Sequence, residues 1–260
     1  MLADRVLLPA DSELIFMRIT RCPVNQPLSP GVELELPEDI ANHLLRVLRL
    51  GVGDSCVLFN GDGHDYTATF IEAGKRHARV QIRGVEAVNN ESPLKITLLQ
   101  GVARGEKMDL ILQKSTELGV AAIVPVNSER SEVRLEGERA AKRLAHWNNV
   151  VSSACGQSGR ACIPEVAAPA PLAQACNALP ADSLRLCLDP RGQWTLNTLP
   201  APGSGGIVVA IGPEGGWSPR DLETLAQAGF SGLQLGPRVL RTETAGLATL
   251  AALQARLGDF

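Results

Sequence analysis

The chain has 260 residues, of which 45% are hydrophobic and 20% are charged, and its formal net charge is −3. This apolar fraction and small net charge exclude a disordered polymer, and the absence of an apolar run of 18 residues argues against a membrane-spanning helix. The charge balance also excludes a globally basic nucleic-acid binder, so any contact with RNA or DNA must come from local patches.

The first part of the chain is predicted to be a small β-rich unit. Residues 32–36 alternate apolar and polar side chains, as a half-buried strand does, and residues 39–50 carry an amphipathic helical pattern. Further strands are predicted at 56–59, 66–71 and 78–82, with a hairpin signal at Asn60–Gly63. We therefore predict a barrel-like domain at residues 18–84, preceded by an N-terminal extension at 1–17.

A turn-rich segment at 85–93 is the predicted linker, and the pattern after it changes. Strands are predicted at 94–102, 121–126, 184–188, 207–211 and 232–235. The helices expected between and after them cover 106–118, 137–155, 219–229 and 239–257. The apolar run Ile207–Ile211 is typical of a strand buried on both faces. This alternation predicts an α/β domain with a parallel sheet at residues 94–260.

Two glycine-containing loops follow predicted strands. Ile211 leads into Gly-Pro-Glu-Gly-Gly at 212–216, and Leu235 leads into Gly-Pro-Arg at 236–238. Glycines at a strand end let the backbone approach a ligand and present its N–H groups. Because the carboxyl ends of parallel strands share one edge, both loops are expected to build one site there.

Basic side chains are predicted near the same edge. Arg104, Lys107 and Arg130 each follow a strand, and Arg160 follows the long helix. A single surface cation is usually only solvated, but several on one edge can hold phosphates.

The six cysteines form no C-x-x-C pair and have no histidines at zinc spacing, so we expect no metal site. Acidic residues interrupt the first 16 residues, which argues against a secretory leader. These features predict a cytoplasmic protein with reduced thiols.

Several of these stretches, in collinear order, resemble one family. They are residues 107–119, 128–131, 157–160, 212–217 and 235–245, together with 43–49, Gly53-Asp54 and Asp62-Gly63 in the N-terminal unit. The sequence resembles the RsmE family of 16S ribosomal RNA (uracil-N3) methyltransferases, which belongs to the SPOUT superfamily. The resemblance implies a PUA-like RNA-binding β-barrel before a methyltransferase domain with a deep trefoil knot.

The resemblance also implies S-adenosylmethionine (SAM) as cofactor, held by the loops after three strands. By position, the cofactor residues are Leu188, Ile211, Gly212, Gly215, Leu235, Gly236, Val239, Leu240 and Arg241. The loop after Leu188 is the weakest match, and Pro237 departs from the family pattern in the loop that follows Leu235.

The implied chemistry needs a group that stabilises an anionic uracil and a group that removes the N3 proton. Arginine stays protonated, so it can only stabilise the anion, and Arg241 is the candidate for this role. Glu243 is the carboxylate nearest to Arg241 in the sequence, and it is a candidate either for the base or for a group that orients Arg241. The alternative is that Glu243 only caps the closing helix. The expected RNA contacts are Arg21, Arg46, Arg49, Arg104, Lys107, Arg130 and Arg160. The expected partners are 16S ribosomal RNA in the small ribosomal subunit and a second copy in a homodimer, with no membrane.

Two alternatives stay open at this stage. One is another knotted methyltransferase, acting on tRNA or on ribose 2′-hydroxyls. The other is a non-catalytic RNA-binding factor in ribosome assembly that uses the N-terminal domain.

Overall fold

The computed structural model describes residues 20–260. The predicted N-terminal extension, residues 1–17, lies outside them. Among the described residues, no helix combines the length and the apolar character needed to cross a membrane. No group of three or more His, Cys, Asp or Glu side chains comes together there as metal ligands would.

The N-terminal part forms a five-stranded sheet with the order β1-β3-β4-β5-β2. Its strands are β1 (Arg21–Pro23), β2 (Glu33–Glu35), β3 (Ser55–Phe59), β4 (His64–Ala73) and β5 (Ala78–Ala87). Helix α1 (Glu38–Asn42) continues directly into a π-helical turn, His43–Val47. The core of this N-terminal unit consists of alternating buried side chains, such as Leu58, Ala68, Val80 and Ile82. The predicted hairpin at Asn60–Gly63 joins β3 and β4, as expected.

Strand β5 is longer than the sequence pattern predicts. It ends at Ala87 and pairs with β4 as far as His64, across a register shift at Thr67 and Ala68. Its last residues therefore occupy the start of the predicted linker 85–93. The exact domain boundaries stay a proposal.

The C-terminal part forms an eight-stranded sheet in which every strand pair is parallel. The order is β11-β13-β10-β12-β6-β7-β8, and β9 also pairs with β7. The strands are β6 (Ile96–Gly101), β7 (Ala122–Asn127), β8 (Glu165–Val166), β9 (Ala170–Pro171), β10 (Leu184–Leu188), β11 (Trp194–Thr195), β12 (Ile207–Ile211) and β13 (Ser231–Gln234). All five residues of β12 are buried, because strands flank it on both sides and helices cover the sheet. The predicted α/β class with a parallel sheet is confirmed, and the trefoil knot stays a prediction.

Helices connect and cover these strands. They are α2 (Glu106–Glu117), α3 (Gly137–Ser158), α4 (Leu172–Asn177), α5 (Pro219–Gln227) and α6 (Thr242–Leu257). The prediction that the last helix begins at Val239 is wrong. Arg241 has extended backbone angles and caps α6, accepting hydrogen bonds from the amides of Thr244 and Ala245. Residues 235–241 are therefore a loop, in which the Val239 side chain is exposed.

Arg21 joins the N-terminal sheet to the C-terminal part, and Arg160 joins the segment after β5 to the C-terminal end of α2. The Arg21 guanidinium pairs with Asp65 and donates to the carbonyl oxygens of Cys155 (3.0 Å) and Arg160 (3.2 Å). The Arg160 guanidinium pairs with Glu91 and donates to two further carbonyl oxygens, of Thr116 and Val120.

The RNA contacts predicted for Arg21 and Arg160 do not agree with this environment. Their side chains are only 12% and 7% exposed, and their donors already have partners inside the protein. Sequence spacing shows that a cation is present but not that a distant carboxylate neutralises it. Both guanidinium groups are held by contacts within the protein, and their RNA contacts stay predictions.

Candidate active site at the carboxyl edge of the parallel sheet

A cavity of about 890 Å³ opens where β10, β12 and β13 end. Three loops line it, after Leu188, after Ile211 and after Leu235. Its walls include all nine side chains or backbones predicted to hold the cofactor: Leu188, Ile211, Gly212, Gly215, Leu235, Gly236, Val239, Leu240 and Arg241. Glu243 lines it as well. The structure thus brings the predicted residues together, and their roles stay predictions.

The sequence reasoning missed one wall of the cavity. Trp217, Leu225, Phe230 and Leu233 provide an apolar surface beside the glycine loops. Trp217 directly follows the 212–216 loop, so its position could have been noticed. The other three belong to α5, its C-terminal turn and β13, and only the fold brings them to the site.

Thr242 fixes the relation between helix α6 and the loop after β12. Its hydroxyl donates to the Gly212 carbonyl oxygen at 2.6 Å and accepts from Gln100 Nε2 at 3.0 Å. Thr242 lies between Arg241 and Glu243, so the same contact holds both predicted catalytic residues beside the cofactor loop.

Glu243 has a carboxylate oxygen that nothing in the described chain uses. Its Oε2 atom is buried and, within residues 20–260, has no hydrogen-bond partner. Burying an unpaired polar atom is costly, which makes this oxygen a candidate acceptor for a proton or a ligand N–H. It lies in the first turn of α6, where the helix N-terminus favours a negative charge.

Glu214 ties the loop after β6 to the loop after β12. Its Oε1 atom accepts from the Arg104 amide and from Lys107 Nζ, both at 3.1 Å. Burial alone would raise the pKa of Glu214, but the hydrogen bonds from Arg104 and Lys107 outweigh burial and hold the pKa below its ordinary value. The carboxylate stays charged and keeps Lys107 at the rim of the cavity.

Gly215 and Gly236 differ in what they provide. A Cβ at Gly215 would lie 3.1 Å from Arg130 Cβ, and Arg130 Nη1 donates to the Gly215 carbonyl oxygen at 3.1 Å. Gly215 therefore packs against the loop after β7 as well as lining the cavity. Gly236 has φ +104° and open space where a Cβ would stand, so its backbone conformation is what requires glycine.

The remaining predicted RNA contacts fall into two groups. Arg104, Lys107 and Arg130 surround the 212–216 loop, and the Arg104 side chain is 74% exposed. Arg46 and Arg49 are exposed on the N-terminal unit, in and just after the π-helical turn. The structure therefore places basic side chains both at the cavity and on the N-terminal unit.

The cavity suits a small cofactor of the kind that the resemblance implies. Its volume lies within the roughly 300–1,000 Å³ usual for small-molecule sites. It combines an apolar wall with backbone groups of three loops, and the open side of Gly236 leaves room for close approach. The face of an adenine ring would pack on the apolar wall, and a polar amino-acid tail would meet the backbone groups of the loops.

Two family models and several curated proteins match the chain. The model of an "RNA methyltransferase domain" matches residues 90–254, and that of an "RNA methyltransferase PUA domain" matches residues 36–83. The "Ribosomal RNA small subunit methyltransferase E" of Buchnera aphidicola subsp. Schizaphis graminum is 33% identical over 93% of this chain and 98% of that protein. The protein of the same name from Bacillus subtilis is 26% identical over 92% and 94% of the two chains.

Solved structures agree with the predicted fold. The Neisseria gonorrhoeae ribosomal RNA small subunit methyltransferase E, bound to SAM, has a TM-score of 0.88 and 44% identity and covers 93% of this chain and 99% of its own. A putative methyltransferase from Legionella pneumophila, in complex with SAM, has a TM-score of 0.88 and 40% identity over 94% and 100% of the two chains. A PUA-like domain followed by an α/β methyltransferase domain is thereby confirmed.

Proposed function

Since this chain belongs to the ribosomal RNA small subunit methyltransferase E family, we propose that it methylates N3 of a uridine in 16S ribosomal RNA with SAM as the methyl donor. The observation that carries the proposal is the cavity at the carboxyl edge. There, the nine residues expected to hold SAM, with Arg241 among them, meet a carboxylate oxygen of Glu243 that has no partner among the described residues.

SAM supplies an electrophilic methyl group when it is bound. In the proposed site, backbone groups at Leu188, Gly212 and Leu235 would hold it, and Trp217 and Phe230, which also line the cavity, would cover its apolar parts. The rigid ends of three neighbouring strands fix these loops. Positioning of the two reactants can by itself supply a large share of the rate.

Arg241 and Glu243 act on the uracil. N3 carries a proton and is a poor nucleophile until that proton leaves, so we assign its removal to the Glu243 carboxylate. The Arg241 guanidinium then stabilises the negative charge spread over the uracil carbonyl oxygens. The Thr242 hydrogen bond to Gly212 fixes the start of α6, where both groups are located, beside the cofactor loop.

We place the RNA across both parts of the chain. Arg104, Lys107 and Arg130 would hold the phosphates next to the reacting nucleotide, and Arg46 and Arg49 would contact a more distant segment. Phosphate contacts fix the register of the RNA, while the cavity selects the base.

We further propose a homodimer, acting in the cytoplasm on the small ribosomal subunit. The support for a second copy is an exposed apolar residue at the site itself: Val239 is 91% exposed and lines the cavity. Sedimentation of the full chain tests the dimer directly.

The experiment that tests the catalytic assignment is methyl transfer from radiolabelled SAM to small ribosomal subunits. Glu243→Gln keeps the shape of the side chain but removes the base, so we expect transfer to fall by about 100-fold or more while SAM affinity in calorimetry stays within a few-fold. Glu223→Gln, on the exposed face of α5, serves as the control and is expected to behave like wild type. Full activity of Glu243→Gln would exclude Glu243 as the base.

A further inference from the structure

A second cavity, of about 790 Å³, lies between the N-terminal unit and helix α3 and shares no lining residue with the candidate active site. β1 and the residues after it form one wall, the start of α1 and His43 form another, and the C-terminal half of α3 forms the floor. We refer to it as the interdomain groove.

Neutral polar side chains dominate the interdomain groove. Asn149, Ser152 and Ser153 line it from one face of α3, and Asn25 lines it from the segment after β1. Asn25, Asn149 and Ser153 are exposed and Ser152 is half-buried, and within residues 20–260 these four side chains make no hydrogen bond to the protein. Amides and hydroxyls offer both donors and acceptors, so the groove presents a set of unused hydrogen-bonding groups.

The chemistry of the groove favours bases over phosphates. Its one arginine, Arg21, is already paired with Asp65, and the Asp39 carboxylate on the α1 wall would repel an anion. The C-terminal end of α3, at Gly159, adds the negative end of a helix dipole. The Watson–Crick edges of unpaired bases need the mixture of donors and acceptors that Asn and Ser provide.

The mouth of the groove has the remaining features of a site for single-stranded RNA. His43 lines it with an exposed imidazole, on which a base can stack, and it begins the π-helical turn. Such turns are rare and are frequently found at functional sites. Arg46 is exposed three residues further on, and Lys142 lies two turns before Asn149 on the same face of α3. Lys142 pairs with Glu138 (2.8 Å) and Arg46 donates to the Lys75 carbonyl oxygen (3.4 Å), but both side chains are exposed and would exchange these contacts for phosphates near the groove.

We propose that the interdomain groove binds the bases of an unpaired RNA segment that lies apart from the methylated nucleotide. The groove would thus read a second part of the same ribosomal RNA. The inference rests on the proposed function only for the identity of that RNA.

The test is the double variant Asn149→Ala, Ser153→Ala in the full chain, with fluorescently labelled, deproteinised 16S ribosomal RNA as the probe. Each lost hydrogen bond is expected to weaken binding by about fivefold, and the double variant by more than about tenfold. Because both side chains are neutral, the slope of log Kd against log salt should not change. SAM affinity, measured by calorimetry, should equal that of wild type.

Two single variants serve as references. Asn148→Ala removes the same side chain from the adjacent, exposed position of α3, which does not line the groove, and should bind RNA like wild type. Lys142→Ala should instead lower the salt slope by about 1, as the loss of one phosphate contact does.

The outcomes separate the groove from the proposed reaction. If the double variant binds RNA as tightly as wild type, the proposal that the groove binds RNA is refuted, whether or not the protein methylates RNA. Weaker binding to small ribosomal subunits with unchanged binding to deproteinised RNA also overturns it, because the occupant would then be a protein. If the wild-type protein transfers no methyl group and the double variant still binds RNA more weakly than wild type, the proposed RNA site in the groove is supported and the proposed reaction is refuted.

Discussion

The hydroxyl of Thr242 donates a 2.6 Å hydrogen bond to the carbonyl oxygen of Gly212, so the first residue of α6 is joined to the loop that follows the central strand. Thr242 and Gly212 belong to different segments of the chain. Gln100 Nε2 donates to the same hydroxyl, so the start of α6 is also held to β6. This buried connection sets where Arg241 and Glu243 stand relative to the cofactor loop.

Thr242→Val should weaken SAM binding, because it leaves the Gly212 carbonyl oxygen without its donor and leaves Gln100 Nε2 with only the Gly101 carbonyl oxygen as acceptor. A buried unsatisfied group costs about 1–3 kcal/mol, and we expect the free energy of unfolding to fall by that amount and SAM affinity to fall severalfold. Calorimetry and urea denaturation measure the two effects. Thr242→Ser, which keeps the hydroxyl, should restore most of both. Wild-type stability and SAM affinity in Thr242→Val would show that the hydrogen bond does not matter.

Arg241→Ala should reduce methyl transfer by about 100- to 1,000-fold, the usual effect of removing one group that stabilises a developing anion. The loss should appear in kcat more than in the KM for SAM, because the charge that Arg241 stabilises arises on the uracil during the reaction. Arg256→Ala removes an exposed arginine from the other end of α6 and should leave kcat unchanged. A purely KM effect for Arg241→Ala would reassign the residue to cofactor binding alone.

The contact between Glu214 and Lys107 should stabilise the protein only above acidic pH. The pKa of Glu214 is lowered in the folded state from its ordinary 4.5, so on acidification the unfolded chain takes up its proton first. The stabilisation is fully present above pH 4.5 and is lost as the pH falls through the lowered value. In urea denaturation from pH 7 to pH 3, the difference between wild type and Glu214→Gln should be constant at neutral pH and shrink below pH 4.5. A difference that grows in acid would contradict this sign.

Arg160→Ala should destabilise the protein by about 3 kcal/mol or more, because it leaves Glu91 without its partner and the Val120 carbonyl oxygen without this donor, while the Thr116 carbonyl oxygen keeps only the Gly119 amide. Arg46→Ala, at an exposed position, should change stability by no more than about 0.5 kcal/mol while it weakens RNA binding. Thermal unfolding and RNA binding of the two variants separate a structural arginine from an RNA-binding one. A stable Arg160→Ala variant with a specific loss of RNA affinity would restore the original assignment.

Local patterns in the sequence were sufficient for the sheet and for the position of the candidate site. Ile207–Ile211 is fully apolar because it is buried on both faces, and Ser218 with Pro219 begins α5 as its capping chemistry dictates. Parallel strands place their carboxyl ends at one edge, so Gly212 and Gly236 had to meet there. The family resemblance then identified the individual residues of the cavity.

The rest of the structure could not be predicted, because it depends on contacts between residues that are distant in the chain. The charges of Arg21 and Arg160 are evident in the sequence, but their neutralisation by Asp65 and Glu91 depends on how the two sheets pack. The helical pattern of residues 239–257 extends past the true start of α6, because the contacts of Thr242 with Gly212 and Gln100 decide where the helix begins. The interdomain groove has no sequence signal of its own, since its walls come from three separate segments.

The most direct test of the proposed function is the identity of the methylated nucleoside. Small ribosomal subunits from cells that lack this activity should be incubated with the protein and SAM, and the digested 16S ribosomal RNA analysed by mass spectrometry. Our account predicts 3-methyluridine, present with wild type and absent with Arg241→Ala. A methyl group on a ribose 2′-hydroxyl or on another base, or no methyl group despite SAM binding, would contradict it.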